Sequence, residues 1–176
     1  MTSNTRRTAA LCAVALAALA ARTLAAPPTS PSSSGLERFK SLAGDWVAAE
    51  DGPMSKKGDL VARYAVSAAG TAVVETVFPG RAHEMVTVYH ADGADLVLTH
   101  YCMEGNQPRM RARETEGPRF DFAYDGGTNI DPARDRHMHS ASFEFVSADE
   151  IRNEWTELAD GKTVLVVKSH LVRKGR

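Results

Sequence analysis

The chain has 176 residues, 43% of them hydrophobic, with 21 Lys and Arg against 22 Asp and Glu and a formal net charge of -1. That balance, with no basic block beside aromatic residues, argues against nucleic acid as a partner, and no basic amphipathic stretch marks a membrane-surface helix. A disulfide scaffold is excluded as well, because one of the two cysteines, Cys12, lies in an apolar amino-terminal run and leaves Cys102 without a mate.

Arg6 and Arg7 precede an uncharged run from Thr8 to Ala21, and Thr23-Leu24-Ala25-Ala26 supplies small residues ahead of a proline pair. A positive start, a short apolar stretch and a small-residue cleavage site make residues 1–26 an expected signal peptide. The mature protein is then expected in the periplasm or outside the cell. The apolar run is shorter than the ~20 residues of a membrane span, so no membrane-spanning segment is expected after cleavage. The Arg6-Arg7 pair leaves the general secretory and twin-arginine routes both open.

Residues 27–35 are rich in Pro and Ser, the composition of a flexible leader. Residues 36–176 suit a single domain large enough to bury a core. Ser34 is placed to cap a short helix carrying Leu36, Phe39 and Leu42, which Gly44 stops. From there to the end the pattern has period two, predicting strands at 59–67, 71–78, 83–90, 95–102, 109–115, 119–124, 138–146, 151–158 and 163–172. Ala69-Gly70, Asp92-Gly93, Gly105-Asn106 and Asp160-Gly161 supply turn residues between several of these runs. The predicted fold is all-β, a single antiparallel meander barrel of about eight to ten strands with a short amino-terminal helix, since closure removes both sheet edges. A barrel of about eight strands has room inside for side chains or one small ligand.

The run Ser41-Leu42-Ala43-Gly44-Asp45-Trp46 takes a short helix into a G-x-W strand, and Arg173 ends the last strand. This resembles the calycin superfamily of lipocalins, fatty-acid-binding proteins and nitrobindin-like haem barrels. The stretches 83–110 and 126–139 are also similar to exported bacterial lipocalin-like proteins. The resemblance implies a closed barrel in which Trp46 plugs one end and Arg173 packs over it. It also implies haem as a candidate cofactor, held through a histidine that the resemblance does not single out. The chain departs from lipocalins proper in lacking a long carboxyl-terminal helix and paired cysteines.

A tight turn at Asp92-Gly93 sets His83 opposite Cys102, Met85 opposite His100, Thr87 opposite Leu98 and Tyr89 opposite Leu96, with all eight on one face. Leu96 and Leu98 make that face the inner one; the alternative puts Val86, Val88 and Val97 inside and leaves His83 and His100 wet. Strand alternation then groups His137 and His139 with Ala141, Phe143 and Phe145, so both imidazoles are expected to point inward. An H-x-H pair with His100 as a third ligand makes a transition-metal site conceivable, and Cys102 would favour zinc or copper. A turn at Gly105-Asn106 sets Cys102 opposite Arg109 and His100 opposite Arg111, where guanidinium groups would hold a ligand carboxylate. Solvent-facing arginines are the alternative. Glu154 is a further inward candidate, whose pKa burial would raise, and the polar connection 125–136 is an expected lid over the barrel mouth.

No nucleophile elbow, phosphate loop, dinucleotide fingerprint or zinc-protease helix occurs in the sequence, which leaves enzyme activity open and favours a binding protein. The expected partner is a small, partly apolar ligand with an optional acidic group. Its expected contacts are His83, Met85, Tyr89, His100, Cys102, Arg109, Arg111, His137, His139 and Glu154. The alternative is a metal- or haem-binding barrel with histidine ligands and redox or hydrolytic chemistry. A third reading is a structural protein whose barrel is simply filled.

Overall fold

A computed structural model describes residues 34–113 and 117–175. The expected signal peptide and residues 27–33 of the expected leader lie outside the described residues, as do residues 114–116. The helix α1 (Ser34–Lys40) begins two residues inside the expected leader. Ten strands follow: β1 (Gly44–Ala48), β2 (Leu60–Ser67), β3 (Ala72–Val77), β4 (Met85–Asp92) and β5 (Asp95–Tyr101), then β6 (Gln107–Ala112), β7 (Arg119–Thr128), β8 (His137–Ser147), β9 (Glu150–Ala159) and β10 (Lys162–Arg173).

Each strand pairs antiparallel with the next, and β1 pairs with β10 through Trp46 and Arg173, closing the barrel. Closure leaves no unpaired edge, which is how a meander of short hairpins avoids exposing a row of free backbone groups. The turns are where sequence chemistry decides. Between β9 and β10, Asp160 and Gly161 have φ of 49° and 67°, the paired left-handed residues that let a tight turn follow the twist of its strands.

Inward positions follow period two: Val73, Glu75 and Val77 on β3; Met85, Thr87 and Tyr89 on β4; Leu96, Leu98 and His100 on β5. At one end the bore is filled by α1. Phe39 is fully buried, with ring centroids 4.5 Å from Tyr89, 5.5 Å from Phe120, 6.0 Å from Phe122, 5.3 Å from Phe143 and 5.4 Å from Phe145. Gly35 allows the close approach, because a Cβ there would stand 3.0 Å from the Phe120 ring. Trp46 completes the seal, its indole Nε1 donating to the Leu42 carbonyl at 2.7 Å. The Arg173 guanidinium lies 4.6 Å from the centre of the Trp46 ring and donates to the carbonyls of Ser41, Ala43 and Ala148 at 2.9, 2.8 and 3.0 Å. It thus satisfies carbonyls just beyond the helix end. No helix among the described residues is long and apolar enough to cross a membrane.

Candidate functional site

At the end opposite α1 the same strands surround a cavity of about 300 Å³. Its walls are Val61, Val77, Phe78, Met85, Val167 and Leu171, with Met138 and Trp155 across the bore. Met54, Met103, Leu165, Glu104 and Arg136 stand around the mouth, where Met103 is 61% exposed. Glu75, His100, Cys102, Asn153 and Glu157 bring polar atoms into this lining.

Glu75 is 3% exposed and accepts hydrogen bonds from the hydroxyls of Tyr64 (2.7 Å) and Tyr89 (2.6 Å), with the Thr87 hydroxyl close by. Burial pushes its carboxyl pKa up, and the neighbouring hydroxyls of Tyr89, Tyr64 and Thr87 pull it back part of the way. Burial, followed by the neighbouring Glu75 charge, drives the pKa of both tyrosines well up, so both stay protonated as donors. Thr87 Oγ1 also lies 2.9 Å from His100 Nδ1. The His100 ring packs against Trp155 with centroids 5.1 Å apart, and its Nε2 is buried without a partner. Burial pushes the His100 pKa down to about 4, so the imidazole is neutral at neutral pH.

A second polar pair guards the mouth. Arg136 grips the 3%-exposed Glu157 in bidentate fashion, Nε and Nη2 donating at 2.7 and 2.8 Å. The pairing raises the already high Arg136 pKa further, which keeps the guanidinium charged. The Arg136 carbonyl accepts from Asn106 Nδ2 at 2.7 Å, tying the 129–136 connection to the β5–β6 turn. The expected lid is shorter than its sequence, because β7 continues through Thr128 and absorbs its first residues. Cys102 is half-buried at the cavity, and burial raises its pKa, so it is a thiol and not a thiolate nucleophile.

The sequence-predicted residues divide among three places. Met85, His100 and Cys102 line the cavity. Tyr89 sits behind it, bonded to Glu75 and packed on Phe39. The inner face of β4 and β5 is the one expected, but the register is displaced: the turn falls at Gly93 and Ala94, pairing Thr87 with His100 and Tyr89 with Leu98. His83 is left outside the lining, with its ring 4.7 Å from that of Phe78 and its Nε2 buried and unpartnered.

The arginines take the outward alternative. Pairing of β5 with β6 sets Arg109 opposite Thr99 and Arg111 opposite Val97, on the face away from Leu96, Leu98 and His100. There Arg111 bonds Asp92, Asp95 and Asp125 at 2.7, 3.2 and 3.2 Å, and Arg109 bonds Asp125 at 3.2 Å. Glu154 is likewise turned out of the bore, bonded to Lys168 at 3.0 Å, while its neighbours Asn153 and Trp155 line the cavity.

His137 and His139 are displaced by a β-bulge. The pairing of β8 with β9 slips between Met138 and Ser140, so Met138, not a histidine, faces the bore opposite Glu157. His137 is fully buried, its Nδ1 bonded to the Asp135 carbonyl at 2.7 Å. Its Nε2 lies 3.2 Å from His139 Nδ1, and Tyr124 stacks on His139 with centroids 5.2 Å apart. The two imidazoles thus bond each other, and His100 stands in a different compartment. Among the described residues no group of three or more His, Cys, Asp or Glu side chains is arranged to hold a metal ion. The donor set expected for a metal is therefore not assembled.

Sequence reasoning missed Glu75, Glu157, Trp155, Tyr64 and Arg136. For Glu75 the signal was present: it alternates with Val73 and Val77, and period two places all three on the inner face. The chain matches no protein-family model and no curated protein sequence.

Proposed function

We propose that this protein is an exported, calycin-like binding barrel that holds one small, mostly apolar molecule in the cavity opposite α1. The observation that carries the reading is an unfilled space of about 300 Å³ whose apolar walls surround a buried imidazole with an unused nitrogen. Apolar walls with a few convergent polar groups are the usual makeup of a small-ligand site, and protein interiors are otherwise close-packed. The Trp46–Arg173 seal supports the calycin-like part of the reading, and the amino-terminal sequence supports export. The acidic head group anticipated from the sequence loses its support, because Arg109 and Arg111 are engaged by aspartates outside the bore.

The test is uptake of the neutral fluorescent probe N-phenyl-1-naphthylamine by the mature protein. One probe per chain is expected to bind with a rise in emission, and Met138→Trp, which fills the cavity, is expected to abolish it. No uptake, or uptake indifferent to that substitution, overturns the reading. Export is tested separately by expressing the full chain in a bacterium: periplasmic protein beginning near Pro27 is expected, and uncleaved cytoplasmic protein contradicts export.

A further inference from the structure

The polar end of the cavity holds a buried imidazole nitrogen without a partner. Glu75 receives the Tyr64 and Tyr89 hydroxyl protons, and the Thr87 hydroxyl stands between this carboxylate and His100 Nδ1. Thr87 has one proton, so a hydroxyl that gives it to Glu75 meets His100 Nδ1 with an oxygen lone pair. In that arrangement His100 Nδ1 carries the imidazole hydrogen and donates it to Thr87 Oγ1. Nε2 is then a bare lone pair, and it is buried among the cavity walls without a hydrogen-bond partner. A buried acceptor of this kind is costly until a donor reaches it.

The rest of the lining narrows the donor's carrier. Met54, Met85, Met103 and Met138 all line the cavity, although the whole chain has only six methionines. Thioethers favour contact with aromatic ring edges and adapt to their shape, and Trp155 and Phe78 offer flat apolar faces. A carboxylate ligand is disfavoured, because the partners of Glu75 are hydroxyls and the Arg136 guanidinium is already occupied by Glu157.

We infer that His100 Nε2 is the unprotonated ring nitrogen and that the cavity selects a neutral aromatic molecule bearing a hydroxyl group, which donates to Nε2 while its ring lies among Trp155, Phe78 and the methionines. The inference rests on the cavity being a binding site, as proposed above, and adds the chemical class of its occupant.

Three naphthalenes matched in ring and differing in head group test it: 2-naphthol, 2-methoxynaphthalene and 2-naphthoate, titrated at neutral pH by isothermal calorimetry. 2-Naphthol is expected to bind roughly tenfold tighter than the ether, the effect of one net hydrogen bond, with the carboxylate weakest. His100→Leu is expected to erase the preference for naphthol over ether, and His100→Gln, which restores an acceptor, to recover part of it. Should either variant misfold, the head-group series on the unaltered protein decides, together with nitrogen-15 chemical shifts of His100. These shifts are expected to show Nδ1 protonated and Nε2 bare. Equal affinities, a preference for naphthoate, or a hydrogen on Nε2 overturns the inference. If N-phenyl-1-naphthylamine binds but none of the three naphthalenes does, the inference alone falls. If nothing binds, it falls with the reading beneath it.

Discussion

At the helix end of the barrel five aromatic rings close around Phe39, whereas at the other end the same strands enclose about 300 Å³ of unfilled space. The strands do not differ in kind between the two ends; what differs is the plug and the side chains that meet it. At the sealed end α1 supplies the volume the strands cannot, and Arg173 bonds the carbonyls that follow the helix. At the cavity end no element of the described residues enters the bore, and the methionines, His100 and the Arg136–Glu157 pair take the places that aromatic rings hold opposite. A void and buried polar groups each lower stability. Stability is therefore expected to reside at one end and recognition at the other.

The largest effect should come from emptying the sealed end. Phe39→Ala is expected to lose about 3–5 kcal/mol in denaturant unfolding, the usual cost of truncating a fully buried aromatic. A loss below about 1 kcal/mol would mean that α1 is not the plug described.

Acid should act from the other end. The folded-state pKa of His100, about 4, lies below its ordinary 6.5, so the unfolded chain binds its proton first. Stability from this group is intact above pH 6.5 and declines as pH falls toward 4, by about 3 kcal/mol in total. Glu75 acts with the opposite sign from pH 4.5 upward, because burial raises its pKa. The decisive quantity is accordingly the difference between the unaltered protein and His100→Leu, whose stability should fall less steeply across that window. Parallel curves would contradict the assignment.

Arg173→Ala should cost about 2 kcal/mol, since it removes the contact over Trp46 and several hydrogen bonds of which each is worth about 1 kcal/mol net. Smallest of all, Met103→Ala, at an exposed position on the mouth, should change stability by less than about 0.5 kcal/mol while weakening probe uptake measurably. A reversed ranking, with mouth residues more costly than Phe39 or Arg173, would break the division between the ends.

The fold was largely legible because alternation and turn chemistry are local signals. Every run of alternating residues from Leu60 onward became a strand, and Asp160-Gly161 turns the chain as its residue types require. The inward face of β4 and β5 was legible from Leu96 and Leu98, while their register was not, since the turn at Gly93 and Ala94 sits one residue beyond the Asp92-Gly93 signal. The histidine pair was misplaced for a different reason: the bulge after Met138 carries no glycine or proline to announce it, and one extra residue reverses which side chains face the bore. Arg109 and Arg111 went outward through the same sensitivity to register at the Gly105 turn. Glu157 and Arg136 were illegible in isolation, because their meeting depends on how β7, β8 and β9 stack.

The most direct test of the account is a backbone and side-chain NMR titration of the mature protein with N-phenyl-1-naphthylamine. Binding in the cavity predicts shift changes concentrated on His100, Cys102, Met138 and Trp155, with Phe39 and Trp46 at the sealed end unmoved. Shifts centred on the helix end or the outer face, or none at saturating probe, would contradict it.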